Sequence, residues 1–449
     1  MVFAISVELV AKDYVHCECE SAARQSGCCA KSCRTVQNGE KNILRDPVWH
    51  DNARKISARR GGSMNKKHFS KHVVSKSATE AIFLLLAVIL ATSFAPAALG
   101  QAATASAAAH KTDHSQAEQH ARSVAKQWLA RGIPGVTLAV TVDGRVVYAE
   151  GFGYADLEQR VPVWAGTKFR IASDSKPLTA AGLMLLVEQG KIDLDAPVQK
   201  YVPSFPDKGA KITPRLLAGH LAGIRHYQDD EFLISRHYDS VVEGLKIFAD
   251  DPLVSPPGKE FHYSSYGFNL LSAVIESAAR EDFLSYMHER VFIPLELRHT
   301  TEDQTTEIIE QRARPYRKMR DGTVKNAPFV DNSYKWAGGG FLSTAEDLAK
   351  FGSALLQPGF LKPESLRLLF TSQKTTDGSE TGYGIGWFIG KSKSGQKIYA
   401  HDGGAAGGSS RLILYPDAHM VVAMICNFEG DGGWQAEEVE SVGEAFAEK

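Results

Sequence analysis

The sequence predicts an α+β protein: an antiparallel sheet built from both ends of the folded region, flanked by terminal helices, with a mostly helical region inserted between them. Three observations predict it. Runs rich in β-formers lie at Val136–Glu150 and return from Gly384 to Asn427. The stretch between, Pro203 to Ala349, reads as helical segments and loops. Amphipathic helical patterns bracket the strands, at His114–Arg131 and Trp434–Ala447.

Composition narrows the function classes. The 449 residues carry 51 Lys and Arg against 52 Asp and Glu, a formal net charge of −1. No basic stripe appears in the globular part and the net charge offers no excess for a phosphate backbone, which argues against a nucleic-acid partner. Cys17, Cys19, Cys28, Cys29 and Cys33 crowd the first 33 residues, and only Cys426 belongs to the folded region. No histidines at zinc spacing accompany them, so no metal site and no cofactor are expected.

Residues 1–63 show no sustained hydrophobic period and end in Arg59-Arg60-Gly61-Gly62-Ser63 before Met64. They read as an extension ahead of the true start at Met64. Lys66, Lys67, Lys71 and Lys76 then precede the apolar run Ala81–Ala95, and small residues follow. That is the three-part pattern of a secretory signal peptide. Residues 64–105 are thus expected to be a signal peptide and the start of an Ala-rich linker, and 106–449 the folded domain. The expected location is periplasmic or secreted, with membrane contact only through the signal segment if it is uncleaved.

Within the domain, the helix at His114–Arg131 turns Ala117, Ala121, Val124 and Leu129 inward and stops at Gly132. Val136–Val142 and Arg145–Glu150 are strands joined by Asp143-Gly144, a hairpin signal. Phe169–Leu194 is a strand end running into a buried helix, with Leu178, Ala181, Leu185 and Leu186 at helical period and Gly190 as its stop. Gly182 lies on the same face and would admit a close neighbour. Phe268–Ala279 and Ala345–Leu356 read as further helices, and Gly384–Ile389, Lys397–His401, Arg411–Tyr415 and Met420–Asn427 as the returning strands.

Ser-x-x-Lys occurs four times, at Ser63, Ser123, Ser173 and Ser394. Only Ser173 opens a long buried helix directly after an apolar strand-like run. There the unpaired N–H groups and the positive helix end favour an alkoxide, and Lys176 lies one turn away as a base. A capping serine with a solvated lysine would give the same spacing. Two further segments supply what a nucleophile needs: a proton carrier and an oxyanion pocket. Tyr263 follows the Pro257-Gly258 turn and precedes an apolar helix. His401-Asp402-Gly403-Gly404 ends a strand in glycines that would let a substrate backbone approach. His220 and His226 read as core or surface histidines. No His-Glu-x-x-His or Gly-x-Ser-x-Gly occurs, which disfavours a zinc hydrolase and an α/β-hydrolase.

Taken in order, these segments resemble the serine β-lactamase and penicillin-binding protein superfamily, in its class C and esterase-like branch. They look most like the mitochondrial lactamase-like serine proteases and their bacterial relatives. The carrying stretches are FRIASDSKPLTAAGLMLLVEQGKIDLDAPVQKYVPSF, ITPRLLAGHLAGIRHY, PPGKEFHYSSYGFNLLSAVIE, WAGGGFLSTAEDLAKF and HDGGAAGGSS. The resemblance implies that Ser173 is acylated and that Lys176 and Tyr263 move protons. It places His401 where many relatives carry lysine, and makes an oxyanion hole from the N–H groups of Ser173 and Gly404. Ser265 stands where relatives carry the asparagine of Tyr-x-Asn, and Asp402 where Thr or Ser is common. Ser265, Asp402 and Gly403 are therefore expected substrate contacts. The expectation is an exported, cofactor-free serine hydrolase acting on a peptide, ester or β-lactam carbonyl, cell-wall peptides included. The rival is a catalytically weak peptidoglycan-binding or filament-forming protein of the same fold.

Overall fold

A computed structural model describes residues 114–429 and 434–447. The expected extension, signal peptide and linker lie outside the described residues.

Helix α1 (Ser115–Ala130) leads into the hairpin β1 (Gly135–Val142) and β2 (Arg145–Asp156). Asp143 and Gly144 both take positive φ, 49° and 76°, the turn that suits a two-residue hairpin. After β3 (Val161–Pro162) the chain leaves the sheet for α2 (Ser175–Glu188), α3 (Ser265–Ala279) and α4 (Ala345–Leu356). It returns in β4 (Phe388–Lys391), β5 (Lys397–Ala405), β6 (Gly408–Tyr415) and β7 (Met420–Cys426), and α5 (Ala436–Ala447) follows.

The sheet order is β3-β2-β1-β7-β6-β5-β4, and every neighbouring pair is antiparallel. The two ends of the fold meet at β1 and β7, with Val140 opposite Val422. Alternation along these strands makes two faces. Val136, Leu138, Val140, Val422 and Met424 pack with Ala121, Trp128, Val439 and Phe446 of the terminal helices. Ala139, Val421, Ala423 and Ile425 face the helical region and its larger core. Trp128 closes the helix pair by donating Nε1–H to Glu438 at 2.8 Å. Burying a side chain of that size stabilises the fold by about 2–3 kcal/mol.

Two expectations need adjustment. α2 carries no single apolar stripe, because Leu178, Ala180, Leu183, Met184 and Leu186 are all buried and elements surround it. Gly182 does admit a neighbour: the Tyr286 hydroxyl donates to its carbonyl at 2.9 Å. The strand expected at Gly384–Ile389 begins only at Phe388. The residues before it form a loop pressed onto α2, where Gly386 at φ 79° leaves its missing Cβ 2.7 Å from Ala180 Cβ.

A second, three-stranded sheet pairs Phe169–Arg170 with Phe341–Ser343 and that strand with Thr301–Glu302. The first pairing carries the chain from Arg170 into the turn at Ala172–Asp174 and brings Trp336–Gly339 beside it.

Candidate active site

Ser173 sits in a 3-10 turn, Ala172–Asp174, that leads directly into α2. Ala172 is held at φ 47°, a left-handed conformation that a side chain opposes. Its position is fixed from behind. Ser410 Oγ donates to Ile171 O at 2.8 Å, and a Cβ on Gly403 would fall 2.3 Å from the same oxygen and 3.1 Å from Ala172 Cβ. Only glycine at 403 lets β5 lie this close to the turn.

Lys176, one helical turn on, is fully buried. Its Nζ lies 2.9 Å from Ser173 Oγ, 3.0 Å from Ser265 Oγ and 2.6 Å from Gly338 O. The rings of Tyr263 and Phe268 lie 4.8 Å and 5.6 Å from the amine. Burial holds the Lys176 pKa well below the ordinary lysine range; Asp174 opposes this and the Lys335 cation reinforces it. A neutral amine offers a lone pair to the Ser173 proton.

Tyr263 reaches the site from the loop before α3. Burial raises its pKa above the ordinary phenol range, against a hydrogen bond with Ser173 that lowers it. The phenol therefore stays protonated, a donor rather than a base. Its ring stacks with Phe388 at 6.4 Å between centroids. Ser265 is the first residue of α3. A hydroxyl at this position still reaches Lys176, as its 3.0 Å contact shows.

β4 pairs with β5 only over Lys397–Ala400. Beyond it, at Gly404, the edge of β5 is exposed, and a Cβ there would meet nothing within 4 Å. His401 is buried just before that edge. Its Nε2 lies 3.0 Å from the Tyr383 hydroxyl and its Nδ1 2.9 Å from Asp402 O. A carbonyl can only accept, so Nδ1 carries the hydrogen and Tyr383 donates to Nε2. Burial pushes the His401 pKa down to about 3, helped by Lys176 and opposed by the Asp402 carbonyl. Where relatives were expected to carry a lysine charge, this chain holds a neutral ring.

Asp402 was expected to contact substrate, but its carboxylate takes the Arg411 guanidinium at 2.6 Å. The two face each other across β5 and β6, and Arg411 also donates to Glu440 of α5 at 2.9 Å. Asp402 alternates onto the strand face that carries Ile398 and Ala400 toward the terminal helices.

The structure thus brings Ser173, Lys176, Tyr263 and Ser265 together, with His401, Gly403 and Gly404 along the adjoining strand. Sequence reasoning missed Gly338 and Tyr383, although Gly338 lies within WAGGG. It also passed over Asp174, whose wholly buried carboxyl lies 3.8 Å from His401 Nδ1 and is pushed well above the carboxylate range by burial. Among the described residues no group of three His, Cys, Asp or Glu side chains is placed to hold a metal ion.

Known proteins resemble this chain in sequence and in fold. The chain is 35% identical over 408 residues to the human mitochondrial serine beta-lactamase-like protein LACTB, covering 67% of this chain and 74% of that one. It is 27% identical to a penicillin-binding protein of Bacillus subtilis, over 66% and 68% of the two chains. The structure of D-amino acid amidase from Ochrobactrum anthropi SV3 superposes with a TM-score of 0.66 at 25% identity, covering 75% of this chain and all of that one. The Beta-lactamase family profile matches residues 114–440. With the serine–lysine pair, the two-ended sheet and this match in hand, the chain belongs to the β-lactamase family, within the superfamily of β-lactamase-fold serine hydrolases.

Proposed function

We propose that the protein is an active serine hydrolase working through an acyl-enzyme on Ser173. The observation that carries this is the 2.9 Å approach of a buried, low-pKa Lys176 amine to the Ser173 hydroxyl. Ser173 Oγ forms a bond to the substrate carbonyl carbon as its proton passes to Lys176 Nζ. The carbonyl electron pair moves onto oxygen, toward the N–H groups of Ser173 and Gly404. When that pair returns, the bond to the leaving group breaks. The leaving group takes the Tyr263 phenol proton, and Lys176 replaces it. Water then repeats the sequence on the acyl carbonyl: its proton goes to Lys176, and Ser173 recovers its own.

Substrates in this reading are peptide, ester or β-lactam carbonyls, cell-wall peptides among them. The amidase and penicillin-binding relatives support that range by their names. Export through residues 64–105 is part of the same proposal, supported by the charge and hydropathy of that segment. Incubation with a fluorophosphonate, then intact mass, tests the enzyme. One adduct is expected on the wild type and none on Ser173→Ala. A folded but unlabelled wild type would favour the binding or filament-forming alternative.

A further inference from the structure

The His262–Ser265 segment is held on both sides of Tyr263 by His220–His226, a stretch of chain that takes no part in the proposed proton transfers. His262 N–H donates to His220 O at 2.8 Å. Ser264 N–H donates to His220 Nδ1 at 3.1 Å, and Ser264 Oγ to Arg225 O at 2.7 Å. Ser265 N–H donates to His226 Nδ1 at 3.2 Å. Four donors in sequence thus meet four acceptors in sequence.

Ser264 and Ser265 are the cap and first residue of α3, where the helix itself cannot satisfy backbone N–H groups. Two imidazole nitrogens do so instead. Both rings also touch the phenol: His220 lies 4.2 Å from the Tyr263 ring and His226 5.7 Å, nearly perpendicular to it. His220 is held at φ 59°, and only 2% of its surface is exposed. A nitrogen that accepts an N–H must be bare, so each ring is neutral with its hydrogen on Nε2.

We infer that His220 and His226 are positioning residues: their bare Nδ1 atoms fix the register of Tyr263 and Ser265 against Ser173 and Lys176. This rests on the hydrolase reading for its rate effect, but not for its geometry. Burial lowers both histidine pKa values, that of His226 to about 3, with the Lys176 charge next in each case. The acceptors therefore persist across the physiological range.

Substitution at His226 separates the roles of ring and acceptor. Asparagine places its carbonyl oxygen close to where Nδ1 stood, glutamine places it near Nε2, and phenylalanine keeps the ring without an acceptor. The rate of Ser173 phosphonylation by a fluorophosphonate, in which Oγ bonds to phosphorus and fluoride leaves, should fall about 100-fold in His226→Phe, as for a displacement of about 1 Å. It should fall about tenfold or more in His226→Gln and only a few-fold in His226→Asn, with folding followed by thermal unfolding. Equal rates in folded Asn and Phe variants would overturn the inference. Ring-nitrogen NMR of the wild type reads the tautomers directly: bare Nδ1 on both histidines is expected, and a hydrogen on either Nδ1 would overturn it. An unlabelled wild type would instead count against the hydrolase reading and leave the tautomer result to decide this one.

Discussion

Lys176 Nζ approaches Gly338 O to 2.6 Å, closer than its 2.9 Å approach to Ser173 Oγ. The backbone carbonyl can only accept, so it holds one amine hydrogen permanently and aims the rest of the amine. A neutral amine bonded to Gly338 and Ser265 has used both its hydrogens, which leaves the lone pair for Ser173. Lys176→Ala should therefore reduce acylation by about 10²–10⁴-fold, the range of a lost general base. Undiminished labelling of that variant would remove Lys176 from the mechanism.

The pH profile follows from the same environment. Acylation should rise with pH through the lowered Lys176 pKa, because only the neutral amine accepts a proton. The Tyr263 phenol, held above its ordinary range by burial, should add no falling limb until strongly alkaline pH. A rate that falls between pH 7 and 9 on a stable substrate analogue would contradict these assignments.

Lys335 gives a separable test. It is buried, with its amine 4.7 Å from the Phe232 ring, 5.0 Å from Tyr334 and 5.5 Å from Tyr227, and it donates to Phe232 O at 3.4 Å. Burial lowers its pKa to about 7; Arg170 adds to this and Asp303 opposes it. Its charge lowers the Lys176 pKa, so Lys335→Met should raise that pKa and move the acid limb of acylation to higher pH. Stability carries a matching sign: from about pH 7 to the unfolded value near 10.4, the unfolded chain binds more protons at Lys335, so folding stability rises with pH. A limb unmoved in the variant would show that the two amines are not coupled.

Gly403 and Gly404 should respond in opposite ways to one methyl group. At 403 the new Cβ would lie 2.2 Å from Ser410 Oγ and 2.3 Å from Ile171 O, so Gly403→Ala should cost about 1–3 kcal/mol and slow acylation. At 404 the space is open, so Gly404→Ala should fold normally and weaken substrate binding. Denaturant unfolding and acylation kinetics on the pair check this.

Arg411 joins Asp402 to Glu440 from a fully buried position. Arg411→Ala leaves two acids without their cation and should destabilise by about 3–5 kcal/mol. Asp402→Ser leaves Arg411 with Glu440 and should cost less, with acylation close to wild type. A large catalytic loss in a stable Asp402→Ser protein would return that residue to the substrate site.

Much of this was legible in the sequence because it is local. The hairpin follows from Asp143-Gly144, and the Ser173–Lys176 spacing is one turn of a helix. What escaped depends on distant chain segments. Nothing near Tyr383 announces that its phenol will meet His401, because β5 and a loop before β4 bring them together. His220 and His226 resemble core histidines until their acceptors are matched to consecutive N–H groups of a segment some 40 residues on. Asp402 reads as a substrate contact in its motif, and only the cross-strand register assigns it to Arg411.

The pairing of β1 with β7 also has a consequence for synthesis. Val140 emerges early and waits for Val422, so the centre of the sheet stays unformed until the chain has been made through Val422. Contacts of such long sequence separation slow folding and leave apolar strand edges open meanwhile. A ribosome-bound chain ending before Met420 should therefore be readily digested by protease, and release of β7 should confer resistance on the Ser173 turn and the sheet together.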